Sequence, residues 1–167
     1  YALLPSGCSM GDKYGPMVVA RRPMTVGDLP GVKIAVPGTL TTAFLTLKLL
    51  FESIGAKDRL AFDVVPFDQI IPAVASGQYE AGLIIHDGQL TFNKSGLHKI
   101  VDMGKWWRDK TGLPLPLGGN AIRRELGPDL IADCCTALRN SIRYALDHRE
   151  EALQYAMQFA RDLDPQM

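Results

Sequence analysis

Apolar residues along this chain fall into two repeating periods. Lys33-Ile34-Ala35-Val36 is a short apolar run that stops at Pro37-Gly38, and residues 41–53 then bring Phe44, Leu47, Leu50 and finally Ile54 round at helical spacing. Gly55 closes that helix. A second run, Phe62-Asp63-Val64-Val65, leads through Pro66 into a helix whose first turn is expected to hold Pro72, because proline is tolerated early in a helix and not in its middle. Gly77 ends this one. A third strand covers Ala81 to Ile85 and a fourth Lys99-Ile100-Val101, so strands alternating with helices predict parallel βαβ units.

The flanks read differently. Met17-Val18-Val19-Ala20 is an extended segment entering this centre, and Leu115-Pro116-Leu117-Gly118-Gly119-Asn120-Ala121-Ile122 is one leaving it. Two crossings suggest a hinge between lobes: residues 21–117 as one α/β lobe carrying the active-site edge, residues 1–20 and 118–167 as part of another. Beyond the hinge, residues 128–145 place Ile131, Cys134, Cys135, Leu138 and Ile142 on one helical stripe. Asp147 and Glu150 resemble a capping box opening a last helix through Leu163. These helices call for a partner sheet that the first twelve residues are too short to supply. A fragment of a longer two-lobed protein is the expectation.

Composition narrows the partners. The 167 residues are 47% apolar, and 18 basic side chains balance 18 acidic ones without long blocks of either sign. Nucleic acid and anionic membrane surfaces are therefore poor partners, while small ligands remain open. The apolar runs are strand-sized, too short for a membrane span, and no basic stretch followed by an apolar core opens the chain, so the expected compartment is the cytoplasm. Three cysteines, two of them vicinal on an apolar helical face, read as free buried thiols. No histidine lies at ligand spacing from them, and no metal site is expected.

Three places hold candidate chemistry. His86 follows the Ala81–Ile85 run and precedes a turn, so it sits at the C-terminal edge of a strand, where open α/β sheets bind ligands. Histidine exchanges a proton near neutrality, which suits a general base; a structural histidine bonded to backbone is the plainer alternative. Asp87 and Gln89 stand nearby to orient the ring or touch a ligand, with a plain turn residue the equal alternative for Asp87. The second place is Pro37-Gly38-Thr39-Leu40-Thr41-Thr42-Ala43, a strand-to-helix turn whose free N–H groups suit a carboxylate or phosphate, against simple N-capping by Thr41. The third is Gly118-Gly119-Asn120 at the hinge, where glycine admits a ligand close to the backbone or merely serves the crossing. Of Trp106 and Trp107, one reads as core packing and the other as surface cover, and His98 as a solvated strand start.

Taken together, Ile34-Ala35-Val36-Pro37-Gly38 with Thr41-Thr42-Ala43, then Glu80-Ala81-Gly82-Leu83-Ile84-Ile85-His86, then Trp106-Trp107 and Thr111-Gly112-Leu113-Pro114-Leu115-Pro116-Leu117-Gly118-Gly119-Asn120 resemble the 1,4-dihydroxy-6-naphthoate synthase family of the futalosine route to menaquinone. The sister chorismate dehydratases share the Thr-Gly-Leu-Pro element. The histidine after the Glu80 to Ile85 run and the Pro116 to Asn120 continuation favour the synthases.

The resemblance implies a type II periplasmic-binding-protein-like α/β fold, two lobes on a hinge, here with one lobe incomplete. It also implies a carbon–carbon lyase that converts cyclic dehypoxanthinyl futalosine to 1,4-dihydroxy-6-naphthoate without a cofactor. His86 falls on the family's proton acceptor, and Thr42 and Ala43 on its ligand-contacting pair; Thr41, Gly119 and Asn120 complete the expected substrate-binding set. The partner is then a small carboxylate substrate, with a homodimer left open. A non-catalytic solute-binding protein of the same fold, and a truncated inactive chain, are the competing readings.

Overall fold

The computed structural model describes residues 1–86 and 88–159. In chain order the strands and α-helices are β1 (Ala2–Leu3), β2 (Ser9–Gly11), β3 (Met17–Ala20), β4 (Lys33–Val36), α1 (Thr42–Ser53), β5 (Ala61–Val64), α2 (Phe67–Ala75), β6 (Ala81–Ile84), α3 (Gly88–Thr91), β7 (His98–Asp102), α4 (Met103–Thr111), β8 (Leu115–Gly118), β9 (Ala121–Ile122), α5 (Pro128–Asp147) and α6 (Arg149–Met157). They form two compact units, Met10–Leu117 and Tyr1–Ser9 with Gly118–Met167.

The larger unit is built on a five-stranded sheet in the order β5-β4-β6-β3-β7. Strand pleating sends alternate side chains to opposite faces, and this chain fills both. Val18 and Ala20, Ile34 and Val36, and Ala81 and Leu83 join Leu47, Phe51 and Met103 in one core cluster under α1 and α4. Val19, Ala35 and Ile84 turn the other way, onto Ile70 and Val74 of α2. Each fully buried aliphatic side chain here contributes about 1.5–3 kcal/mol. Gly82 faces α2 so closely that a β-carbon there would stand 2.5 Å from Ile70 Cγ2 and 2.8 Å from Val74 Cγ2.

Two expectations for this unit are corrected. β4, β5, β6 and β7 all run the same way, as expected of βαβ units, but β3 enters antiparallel between β6 and β7, pairing Met17 with both Ile84 and Asp102, and makes the sheet mixed. Met17–Ala20 is therefore an internal strand of the larger unit rather than a segment of the first lobe. Its unbroken apolar run, with Val18, Val19 and Ala20 fully buried, is what a strand covered on both faces requires. Pro72 is the other correction, standing in the body of α2 rather than its first turn. Both Pro72 and Asp68 are exposed, so the Asp68 carbonyl deprived of a donor faces water.

The smaller unit pairs β1 with β9, Ala2 opposite Ile122 and Leu3 opposite Ala121. Neither α5 nor α6 has a buried residue, and Ile131, Cys134, Cys135, Leu138 and Ile142 are half-buried. The cysteines are free, as expected, but not buried: Cys8 is exposed and the vicinal pair intermediate. The Asp147–Glu150 capping box does not form. Asp147 is still inside α5, and His148 takes the junction position with no side-chain cap. Its ring stacks on Tyr144 at 4.0 Å, with Nδ1 3.0 Å from the Tyr144 carbonyl. The predicted end of the last helix at Leu163 lies outside the described residues, as does Asp87. No described helix is long and apolar enough to cross a membrane.

Candidate active-site edge

β4 and β6 are parallel neighbours, with Ile34 opposite Ala81 and Ala35 opposite Gly82. The chain therefore leaves both strands at one edge, toward Pro37-Gly38 from β4 and toward Ile85-His86 from β6. Met17 pairs with Ile84 and Asp102, which brings the end of β7 and the start of α4 to the same edge.

His86 is exposed there, and its backbone is left-handed at φ 55. This conformation is uncommon outside glycine, though histidine, asparagine and aspartate adopt it more readily than most. It swings the side chain out of the strand's alternation. The His86 carbonyl accepts from Gln89 N–H at 3.1 Å, so Gln89 closes the turn through its backbone. Phe67, the first residue of α2, meets the imidazole edge to face with ring centroids 5.3 Å apart. Among the described residues no hydrogen bond occupies either imidazole nitrogen.

On the β4 side, Gly38 turns at φ 153 and its carbonyl accepts from Thr41 Oγ1 at 3.0 Å. The same hydroxyl oxygen accepts from Phe44 N–H at 3.0 Å. Thr41 is thus an N-cap, and its hydroxyl is committed in both directions. The cap serves the third N–H of α1. The N–H groups of Thr42 and Ala43 remain, having no partner within a helix, alongside a Thr42 hydroxyl that makes no hydrogen bond to a described residue. Leu40, on the loop between, is wholly exposed.

The other expected contacts, Gly119 and Asn120, belong to the smaller unit. Asn120 Nδ2 donates to the Gly7 carbonyl at 3.1 Å, and its own carbonyl accepts from Leu4 N–H at 2.8 Å. Both bonds tie down the first residues of the chain. Neither Gly118 nor Gly119 has a left-handed backbone, and a β-carbon at Gly119 would make only ordinary contact with Leu3 at 3.7 Å. An open groove of about 460 Å³ at the α5–α6 junction, lined by Asp147, His148, Arg149, Glu150, Glu151 and Gln154, holds none of the expected site residues. No group of acidic, histidine or cysteine side chains among the described residues has the geometry of a metal site.

Sequence reasoning left Phe67 unassigned. The available signal was an aromatic residue directly after a strand and a proline, at the strand end where ligands gather. Trp106 and Trp107 are both half-buried; Trp106 is the one that packs on the core, and among the described residues the buried Trp107 Nε1 has no acceptor.

The chain is 44% identical over its whole length to a 1,4-dihydroxy-6-naphtoate synthase of Thermus thermophilus, and 39% identical over 99% of its length to one of Streptomyces coelicolor. It spans 58% of the length of each of these curated relatives. An Archaeoglobus fulgidus protein known from its crystal structure superposes with a TM-score of 0.87 at 43% identity, covering 98% of this chain and 59% of that one. A periplasmic sulfonate-binding protein of Methylobacillus flagellatus superposes at 0.65 with 18% identity, covering 91% of this chain and 46% of its own, which shows a shared fold. The fold is thus that of the periplasmic solute-binding proteins. The model of the menaquinone biosynthesis family matches residues 1–166, and the chain belongs to that family.

Proposed function

We propose that the polypeptide carrying this chain converts cyclic dehypoxanthinyl futalosine to 1,4-dihydroxy-6-naphthoate, as a carbon–carbon lyase that needs no cofactor. The observation that carries this reading is one sheet edge with both an exposed imidazole and a helix start whose first two N–H groups bond to no described residue. A carbon–carbon cleavage that ends in an aromatic ring needs a base to take a proton and donors to hold the substrate carboxylate. His86 is the base. Thr42 and Ala43 are the donors, while Thr41 holds the turn that presents them. The two curated relatives, which bear the name of this synthase, support the choice of reaction over the dehydratase of the sister family. A cytoplasmic setting belongs to the same reading.

The test is turnover by the full-length polypeptide, followed by chromatographic appearance of the naphthoate. His86→Asn is expected to lower kcat by about 10² to 10⁴ while substrate affinity stays within a few-fold. Binding without turnover in the unaltered protein would instead favour a solute-binding role on this fold.

A further inference from the structure

We propose that Phe67 is a positioning residue for the His86 imidazole, an inference that rests on the reading of His86 as the proton acceptor. Phe67 stands at the start of α2, 40% exposed and outside both core clusters. A phenyl ring left that open at the edge of a sheet contributes little to the core. Its aromatic partner is His86, with centroids at 5.3 Å and ring planes at 65°. The imidazole has no hydrogen bond from a described residue to fix it, and its backbone lies in the left-handed region, where the strand no longer dictates its direction.

An aromatic pair of this geometry favours one arrangement about 2- to 12-fold over alternatives. The contact is made ring to ring, and Phe67 has no polar atom to bond an imidazole nitrogen. It also withholds water from one side of the imidazole. α2 is anchored in the sheet by Ile70 and Val74, both fully buried, so the phenyl ring stands on a rigid support. Phe67 itself has no group that can donate, accept or titrate, and any effect on turnover must pass through His86.

The experiment uses the full-length polypeptide with Phe67→Leu, which keeps apolar bulk and removes the ring, and Phe67→Tyr, which keeps the ring. Each is made alone and together with His86→Asn. Phe67→Leu is expected to lower kcat about 2- to 12-fold with KM within two-fold, and Phe67→Tyr to restore it. In the His86→Asn background Phe67→Leu should change nothing. Proton NMR gives the second readout, since the His86 ring protons are those lost in His86→Asn. Those signals should shift in Phe67→Leu and stay in Phe67→Tyr, with His98 and His148 unmoved. Unshifted His86 ring protons in Phe67→Leu, or an equal fall in kcat with and without His86, would overturn the proposal. Full turnover by His86→Asn would remove the base assignment instead, and the ring-proton shift would still decide whether Phe67 packs on the imidazole.

Discussion

Ala35 and Gly82 stand opposite each other across the parallel strands β4 and β6. The chain runs on from Ala35 to the threonine-capped helix start and from Gly82 to His86, so one pairing places both candidate groups on one edge. The pairing also sets how near α2 lies, because Gly82 has no side chain to hold it off.

Gly82→Ala is accordingly expected to destabilise the protein. Its β-carbon would press on Ile70 and Val74, both fully buried and unable to withdraw. Overpacking of this kind costs about 1–3 kcal/mol, read as a lower urea midpoint. Gly118→Ala is the control, since nothing lies within 4 Å of a β-carbon there. An unchanged midpoint for Gly82→Ala would mean that α2 is less tightly seated than described.

The two neighbouring threonines should separate stability from affinity. Thr41→Val removes a hydroxyl that both donates and accepts within the cap, at a cost of about 0.5–2 kcal/mol in thermal or urea unfolding. Thr42→Val should leave unfolding alone and weaken substrate binding in the full-length polypeptide about 10- to 150-fold, the value of a hydrogen bond to a charged partner. Calorimetric titration showing wild-type affinity for Thr42→Val would reduce this helix start to a capped turn.

The left-handed backbone of His86 makes its replacements unequal. Asparagine tolerates φ near 55, and His86→Asn should unfold close to wild type. His86→Val puts a β-branched side chain into that conformation and should cost about 1–2 kcal/mol. Equal stability of the two variants would argue against the left-handed turn.

Away from the edge, Lys33 Nζ lies 2.6 Å from Asp63 Oδ2, and the Tyr79 hydroxyl donates to the same oxygen at 2.9 Å. The Lys33 bond, then the Tyr79 bond, hold the Asp63 carboxyl below its usual range, and Asp63 in turn raises both Lys33 and Tyr79. A depressed carboxylate contributes stability above the unfolded pKa of about 4 and loses it as the pH falls. The raised pair contributes below about pH 10 and loses it as the pH rises through the folded values. The stability gap between wild type and Asp63→Asn should therefore be widest from about pH 5 to 9 and close at both ends. These groups sit at the surface, so the gap is small. Urea midpoints across that range check it; a gap independent of pH would exclude the ionic contribution.

Much of the larger unit was legible because its signals are local. The Lys33–Val36 and Ala81–Ile85 runs, the helical spacing of Phe44, Leu47 and Leu50, and the stops at Gly55 and Gly77 each depend on residues within a few positions, and each appears within a residue of where the pattern puts it, the third strand ending at Ile84. His86 at a strand end was readable in the same way. Pro72 and the Asp147–Glu150 pair misled for the converse reason. A proline is bearable in a helix whose freed carbonyl meets water, and a capping box forms only if the chain leaves the preceding helix first.

What the amino-acid order determined by itself, then, was the succession of elements, the apolar faces they bury and the family to which the chain belongs. Tertiary structure alone decided that Met17–Ala20 enters the sheet antiparallel between β6 and β7, because an apolar run says that a strand is covered and not which strands cover it. It decided that Thr41 spends its hydroxyl on the cap while the Thr42 hydroxyl bonds to no described residue, a difference between adjacent identical side chains. It brought Phe67 against His86 across 18 intervening residues. Side-chain direction and long-range contact depend on how the strands are paired, and pairing is a property of the assembled sheet.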